Sequence, residues 1–195
     1  MFRTMVSELL KEDAYKKGDF TLSSGKKSQH YINCKPVTLD GNGSFFVANT
    51  MLDMVYEDTG SLGVAGLTLG ADPLVSTIVM LHGARTYATD CGACHPDAPV
   101  KYAGLIVRKK PKGHGTGAWI EGPELPKGSI VTVVEDVITT GGSALFAVEK
   151  LREHGYTVNR VITLVDRQEH DSSIWKENDL ELASCFTISE IAEHV

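Results

Sequence analysis

Strand-length apolar segments alternate with helical patterns along most of this chain, and that alternation is the strongest constraint on its fold. Strands are predicted in "GVAGL" (63–67), "YAGLIVRKK", "SIVTVVED" (129–136) and "TVNRVITLVDR". Helical patterns lie at about 73–83 and in "SALFAVEKLREHGY", where they place Leu145, Val148 and Leu151 inward. The alternation predicts an α/β fold with a mostly parallel, twisted sheet flanked by helices. A chain of 195 residues suits one such domain.

The N-terminal part carries weaker patterns. "RTMVSELLKEDAYKKG" predicts a helix closed by Gly18, and "YIN" near residue 31 predicts a short strand. Ser44 is predicted to cap a helix with one apolar face, formed by Phe45, Ala48, Leu52 and Val55.

Charge and hydropathy exclude several partners. The net charge of −6 argues against a general nucleic-acid binder. No apolar run approaches the roughly 18 residues of a membrane-spanning helix, and the N-terminus lacks the apolar core of a signal peptide. We therefore expect a cytoplasmic protein without a nucleic-acid or membrane partner.

Two of the four cysteines form a separate motif, "CGACH", with Cys91, Cys94 and His95. The spacing is that of a haem-attachment motif or of half a zinc site. His82 and Asp97 lie nearby in sequence, but without the spacing typical of zinc ligands. The alternative is a surface loop that carries two cysteines.

The stretch "VVEDVITTGG" places Glu135 and Asp136 side by side at the end of a predicted buried strand. Successive backbone N–H groups in the small-residue turn that follows can bind an anion, and the next helix adds its positive end. The pattern is neither a P-loop nor a G-x-G-x-x-G motif. The acids can accept hydrogen bonds from the two hydroxyls of a ribose, so the stretch predicts a site for a ribose 5-phosphate. The candidate residues of the turn are Val137, Ile138, Thr139, Thr140, Gly141, Gly142 and Ser143. The alternative is a solvent-exposed acid pair beside a helix cap.

Charged clusters follow three of the predicted strands: residues 108–110, 135–136 and 166–167. In a parallel α/β sheet the ligand binds beyond the carboxyl ends of the strands. We therefore expect the three clusters to meet in one crevice.

These motifs resemble a known family. "VVEDVITTGGSA" is similar to the phosphoribosyl-pyrophosphate signature of the type I phosphoribosyltransferases. "FTLSSGKKSQHYIN", "RKKPKGHGTG" and "VDRQE" resemble segments of the orotate phosphoribosyltransferases, so the likeness covers about residues 20–169. It implies the type I fold in a single domain, 1–195, with a small hood from about 1–40 plus the C-terminal segment, a core of about 41–170 and a mobile loop.

The resemblance also implies the reaction. Phosphoribosyl pyrophosphate gives its 5-phosphoribose to orotate, which yields orotidine 5′-monophosphate and diphosphate in pyrimidine biosynthesis. Mg²⁺ is implied as the cofactor, held mainly by the pyrophosphate, with its protein ligands left open.

The basic segment "RKKPKGHGTG" is predicted to be a lid over the pyrophosphate. Arg108, Lys109, Lys112 and His114 supply positive charge, and Gly113, Gly115 and Gly117 supply flexibility. By the resemblance, Lys112 is the main catalytic cation, acting together with Glu135 and Asp136, and His114 is a further pyrophosphate donor. The family's loop reaches into the neighbouring subunit, which implies a homodimer. The alternative is a solvated basic hairpin turn.

Arg167 matches the family's orotate-binding arginine, and a guanidinium can hold a carboxylate with two hydrogen bonds. Thr139 matches its orotate-contacting threonine. The alternative for Arg167 is a salt bridge with Asp166 or Glu169.

The chain departs from many bacterial members at three places. Ser23 stands where they have lysine, Leu69 and Gly70 where they have a Tyr-Lys pair, and Tyr31 and Ile32 where they have two phenylalanines. Lys26, Lys27 or Lys35 would supply the missing charge at the orotate site, and Lys35 is the preferred candidate.

Three rival functions stay open. A purine phosphoribosyltransferase would share the 133–144 signature but would not need Arg167. A regulatory protein that binds phosphoribosyl pyrophosphate would not need Lys109, Lys112 and His114. A metal or redox module would depend on the "CGACH" motif.

Overall fold

The computed structural model describes residues 1–21, 25, 27–58, 60–89, 102–112 and 118–193. The predicted residues Cys91, Cys94 and His95, the loop residue His114 and the departure at Ser23 lie outside these ranges. The helices are α1 (Phe2–Leu9, continued by a π-helical turn, Leu10–Ala14), α2 (Lys35–Thr38), α3 (Gly41–Tyr56), α4 (Asp72–Thr89), α5 (Gly142–Glu153), α6 (Ser173–Glu177) and α7 (Ile188–Ala192). The strands are β1 (Tyr15–Thr21), β2 (Lys27–Ile32), β3 (Ser61–Leu67), β4 (Ala103–Val107), β5 (Ile120–Glu121), β6 (Ile130–Ile138), β7 (Arg160–Asp166) and β8 (Glu181–Thr187).

A six-stranded sheet, in the order β5-β4-β3-β6-β7-β8, forms the centre of the described structure. Neighbouring strands from β4 to β8 run parallel, and only the short β5 is antiparallel to its neighbour β4. The predicted mostly parallel α/β sheet is confirmed.

Helices cover both faces of this sheet. On β6, Val134 packs in the cluster formed with α1, α3 and α4, whereas Val131 and Val133 pack with α5 on the other face. Side chains from 131 to 136 are therefore all buried, which explains why β6 is a continuous apolar run rather than an alternating one.

The prediction of a helix up to Gly18 is wrong at its C-terminal end. The helix stops at Ala14, and Tyr15–Thr21 forms an antiparallel hairpin with Lys27–Ile32. The Tyr15 hydroxyl lies 2.7 Å from Nδ1 of His30, and the tyrosine is buried. Pairing with the next strand along the chain thus overrides the local helical pattern.

The predicted cap at Ser44 is also wrong. The carboxylate of Asp40 accepts hydrogen bonds from the backbone N–H groups of Asn42 (2.9 Å) and Gly43 (2.8 Å), so α3 begins one turn earlier. Phe45 is 44% exposed and does not join the apolar face, while Ala48, Leu52 and Val55 are buried as predicted.

Two further helix predictions need adjustment. The helix predicted at about 73–83 extends over Asp72–Thr89. In α5, Val148 and Leu151 are buried as predicted, but Leu145 is only half-buried.

None of the helices in the described ranges combines the length and the hydropathy that a membrane crossing requires.

Asp40→Ala should lower the free energy of unfolding by about 1 kcal/mol, because it removes the side chain that caps two N–H groups of α3. Chemical denaturation of the purified protein measures the change. Ser44→Ala, at the position that the sequence pattern favoured, is the matched control and should be nearly neutral. An equal loss in both variants would contradict the assigned cap.

Candidate active site

The carboxyl ends of the parallel strands bring the predicted charged clusters to one edge of the sheet. Ile138 pairs with Asp166 across β6 and β7, and the N–H of Arg167 donates to the Ile138 carbonyl at 2.9 Å. On the other side, the N–H of Thr68 donates to the Val107 carbonyl at 3.0 Å. The three clusters, at or near the carboxyl ends of β4, β6 and β7, therefore lie along one edge of the sheet, and their meeting in a single crevice stays a prediction.

The turn at 137–143 encloses a small cavity of about 160 Å³, lined by Glu135 and by residues 137–144. Gly141 has a left-handed backbone (φ +84°), and a Cβ there would lie 3.0 Å from the Trp175 ring and from Ile174. Glycine is thus required for two reasons at this position. Helix α5 begins at Gly142, so its positive end faces the cavity.

Glu135 and Asp136 are both buried, at 5% and 9% exposure, so the alternative of a solvent-exposed acid pair is wrong. Burial, and then the negative charge of Asp136, raises the pKa of Glu135 well above its usual 4.5, and the positive charge of Lys109 partly offsets this. Asp136 accepts a hydrogen bond from the Val137 N–H at 2.9 Å, and Nζ of Lys35 lies 3.6 Å from its other oxygen. Lys35, the preferred candidate for the missing charge at the orotate site, lies beside the acid pair.

The loop after β3 presses directly against the acid pair. A Cβ on Gly70 would lie 2.5 Å from Oδ1 of Asp136, so a residue with a side chain does not fit there without displacing the carboxylate. The preceding Leu69 is 68% exposed, and the peptide between Thr68 and Leu69 is cis. The departure from the Tyr-Lys pair thus coincides with a close backbone approach to Asp136, which the sequence alone did not indicate.

Arg167 is 6% exposed and lies beside the β1–β2 hairpin. Its guanidinium donates to the Ser28 hydroxyl (3.2 Å) and the His30 carbonyl (3.1 Å) and forms an ion pair with Glu169 at 2.7 Å. Of the two alternative partners that the sequence suggested, Glu169 is present, whereas Asp166 pairs with His170. The Nε–H of Arg167 is buried without a partner among the described atoms.

The two ends of the predicted lid, residues 108–112 and 118–121, are held together by hydrogen bonds and ion pairs. The N–H of Arg108 donates to the Trp119 carbonyl at 2.8 Å, and the N–H of Lys112 to the Ala118 carbonyl at 3.0 Å. One carboxylate oxygen of Glu121 lies 3.0 Å from Arg108 and 3.5 Å from Lys112. No pattern in the sequence indicated that Glu121 would lie beside the lid.

A larger cavity, of about 530 Å³, lies against the C-terminal half of α5, away from the acid pair. Its lysine, Lys150, is neutralised by Glu149 and Glu153 at 2.8 and 2.9 Å. The smaller cavity at 137–143 is therefore the better anion site, because it lies at the positive end of α5, whereas the positive charge of Lys150 at the larger cavity is already neutralised.

No three histidine, cysteine, aspartate or glutamate side chains in the described ranges lie close enough together to form a metal cage. A Mg²⁺ ion usually takes one or two carboxylates and completes its shell with water and substrate phosphates. Glu135 Oε2, a buried oxygen without a partner, and the neighbouring Asp136 fit that limited role.

The chain was compared with known proteins. No protein-family profile matches it. An orotate phosphoribosyltransferase of Thermosynechococcus vestitus is 49% identical over 187 residues, which cover 96% of this chain and 91% of the relative. An orotate phosphoribosyltransferase of Rhodopirellula baltica is 39% identical, and the match covers 93% of this chain and 90% of the relative.

Solved structures show the same likeness. The Mycobacterium tuberculosis orotate phosphoribosyltransferase in complex with Fe(III) dicitrate superposes with a TM-score of 0.77 at 31% identity, covering 98% of this chain and 99% of the other. A structure of the same enzyme with phosphoribosyl pyrophosphate gives a TM-score of 0.73 at 29% identity, with the same coverage.

The fold and the acid-pair turn define a type I phosphoribosyltransferase. Within that class, the chain belongs to the orotate phosphoribosyltransferase family, the pentosyltransferases that form orotidine 5′-monophosphate.

Glu135→Gln should stabilise the fold at neutral pH. A buried acid with a raised pKa binds its proton more tightly in the folded than in the unfolded protein, so the contribution of Glu135 to stability falls as the pH rises above 4.5. Glutamine lacks this penalty. The difference in Tm between the variant and the wild type should therefore be near zero at pH 4 and grow toward neutral pH. Glu149→Gln, at an exposed position, is the control and should show no such gain. A constant difference across pH would contradict the raised pKa.

Proposed function

We propose that this chain catalyses the family's reaction, transfer of 5-phosphoribose from phosphoribosyl pyrophosphate to orotate, at the edge formed by β4, β3, β6 and β7. The observation that carries the proposal is the buried acid pair of β6, at the sheet edge that also carries an anion-sized cavity and the buried Arg167. Phosphate, ribose and orotate carboxylate each have a complementary group in that arrangement.

The 5-phosphate occupies the 137–143 turn, where backbone N–H groups and the hydroxyls of Thr139, Thr140 and Ser143 donate to it. The ribose hydroxyls donate to Glu135 and Asp136. As the bond to pyrophosphate breaks, positive charge develops on the sugar ring, and the nearby carboxylates stabilise it. The N–H groups and the acids are already in place, so little reorganisation accompanies the reaction.

Negative charge develops at the same time on the leaving pyrophosphate. Arg108, Lys109 and Lys112 neutralise it, with His114 of the lid as a further donor, and Lys112 acts as the main catalytic cation. Mg²⁺, when bound to the pyrophosphate, supplies additional positive charge there. Lys35 supports the site through Asp136, at 3.6 Å.

Orotate is held by Arg167, whose partnerless Nε–H and fixed guanidinium suit a planar carboxylate. Thr139 contacts the base from the phosphate side. Ser28 and the His30 carbonyl fix the arginine before the substrate arrives, which lowers the entropy cost of binding.

The enzyme is proposed to be a homodimer in which the lid serves the neighbouring subunit. Three large apolar side chains of the β3–α4 region are exposed in the single chain: Leu69 (68%), Met80 (58%) and Tyr87 (68%). Met80 and Tyr87 lie two turns apart on the same face of α4, and the proposal places the dimer contact there. Within this proposal the chain is one domain, with a hood of about 1–40 plus the C-terminal segment and a core of about 41–170. Its cytoplasmic location stays a prediction.

Purified protein should consume phosphoribosyl pyrophosphate in the presence of Mg²⁺ and orotate, with loss of the orotate absorbance. Adenine, hypoxanthine and xanthine should not replace orotate, because they carry no carboxylate for Arg167. Arg167→Ala should raise the KM for orotate by about tenfold or more through loss of a charge-assisted pair. Turnover of a purine base without turnover of orotate would refute the substrate assignment.

Lys112→Ala and Asp136→Asn should each lower kcat severely. Mixing the two variant proteins tests whether the lid of one subunit serves the site of the other. If the lid serves the partner, a mixed dimer contains one site without either substitution, and re-equilibrated equal mixtures should regain about a quarter of the wild-type activity. Each variant incubated alone under the same conditions is the control. If the mixture stays as inactive as its components while mixed dimers are detected by mass, the lid acts within its own subunit.

A further inference from the structure

A buried hydrogen-bonded chain outside the assigned site runs from Asp166 through His170 to Trp175. Nε2 of His170 lies 3.1 and 3.3 Å from the two carboxylate oxygens of Asp166, and the indole Nε1–H of Trp175 donates to Nδ1 of His170 at 3.2 Å. The side chains of His170 and Asp166 are only 7% and 13% exposed. Because Nδ1 accepts from the indole, the proton of a neutral ring lies on Nε2, where it can be donated to Asp166.

Each end of this chain contacts one half of the proposed substrate site. The Trp175 ring lies against Gly141, the left-handed residue at the start of α5 in the phosphate turn. At the other end, Asp166 accepts the N–H of Gln168 at 2.7 Å and so shapes the turn that carries Arg167. Gln168 itself has a left-handed backbone (φ 58°), which makes that turn dependent on local support.

We propose that His170 is a positioning residue that couples the phosphate turn to the orotate-binding arginine. It holds the indole of Trp175 in one orientation against Gly141, and it holds Asp166 in the orientation that shapes the turn around Arg167. The proposal rests on the proposed function, since it deepens the account of the same site. His170 touches neither substrate, so its effect is on binding rather than on the chemical step.

Two substitutions at His170 separate its hydrogen bond with Trp175 from its hydrogen bond with Asp166. In His170→Asn the amide oxygen can replace Nδ1 as acceptor for the indole, whereas the link to Asp166 is lost. In His170→Gln the amide nitrogen can replace Nε2 as donor to Asp166, whereas the indole loses its acceptor. Trp175→Phe removes the indole N–H together with the ring atoms Cζ2 and Cη2 that face Gly141, so it abolishes this contact completely.

His170→Gln should raise the KM for phosphoribosyl pyrophosphate about 3- to 10-fold, the effect of one lost hydrogen bond, and Trp175→Phe should raise it at least as much, with kcat within about twofold of the wild type in both. His170→Asn should keep that KM near the wild-type value and raise the KM for orotate instead. The double variant His170→Gln with Trp175→Phe should be no worse than Trp175→Phe alone, because His170 acts on the phosphate turn only through the indole.

A role in folding alone would lower Tm in all variants without this division between the two KM values, and that result would overturn the proposal. The indole N–H signals of the two tryptophans in an NMR spectrum give a reading that does not depend on turnover. Comparison with the spectrum of Trp175→Phe assigns the Trp175 signal. This signal should shift when ribose 5-phosphate is added to the wild type. In His170→Gln, a higher concentration of ribose 5-phosphate should be needed for the same shift. Equal titrations in the two proteins would also overturn the proposal. Failure of the proposed function would show separately, as a wild-type protein that does not consume orotate.

Discussion

Two adjacent carboxylates at the end of the central strand are the feature on which the rest of this structure depends. Burying them costs free energy unless protons, cations or donors compensate. Glu135 responds with a raised pKa, and Asp136 has the Val137 N–H and Lys35 within reach. That compensation is partial, since Oε2 of Glu135 has no partner among the described atoms. In the proposed function, the hydroxyl groups of the ribose donate hydrogen bonds to these carboxylates and so complete the compensation.

The sequence was sufficient to predict the parts of the fold whose determinants are local. The β6 strand, the acid pair and the turn follow one another within about a dozen residues, and each has its own signal: an apolar run, a charge pair and a run of hydroxyl and glycine residues. The β1–β2 hairpin and the β8 strand have no comparable signal. β1 is held by pairing with β2, and β8 lies at the sheet margin with only Cys185 and Phe186 fully buried, so neither shows a clear period.

The contacts that complete the site join segments that are distant in the chain, which explains why sequence patterns missed them. Gly70 approaches Asp136 across 66 positions, and Glu121 brings Arg108 and Lys112 to one oxygen from the far side of the lid. Lys35 is an intermediate case: the shortage of positive charge indicated that some lysine was needed, but only the fold places this one at the acid pair. The residue types in the sequence thus predicted which chemical groups the site needs, whereas the fold determines which side chains supply them.

Unsatisfied buried atoms give an independent reason to place the substrates at this edge. Six buried side-chain atoms in the described part of the chain have no hydrogen-bond partner, and three of them belong to Asp72, Glu135 and Arg167, at the carboxyl ends of β3, β6 and β7. A buried unpaired polar group costs about 1–3 kcal/mol, so such groups rarely persist without a purpose. One is a donor on Arg167 and one an acceptor on Glu135. In the proposed function, a substrate pair that offers a carboxylate at one end and ribose hydroxyls at the other satisfies both at once.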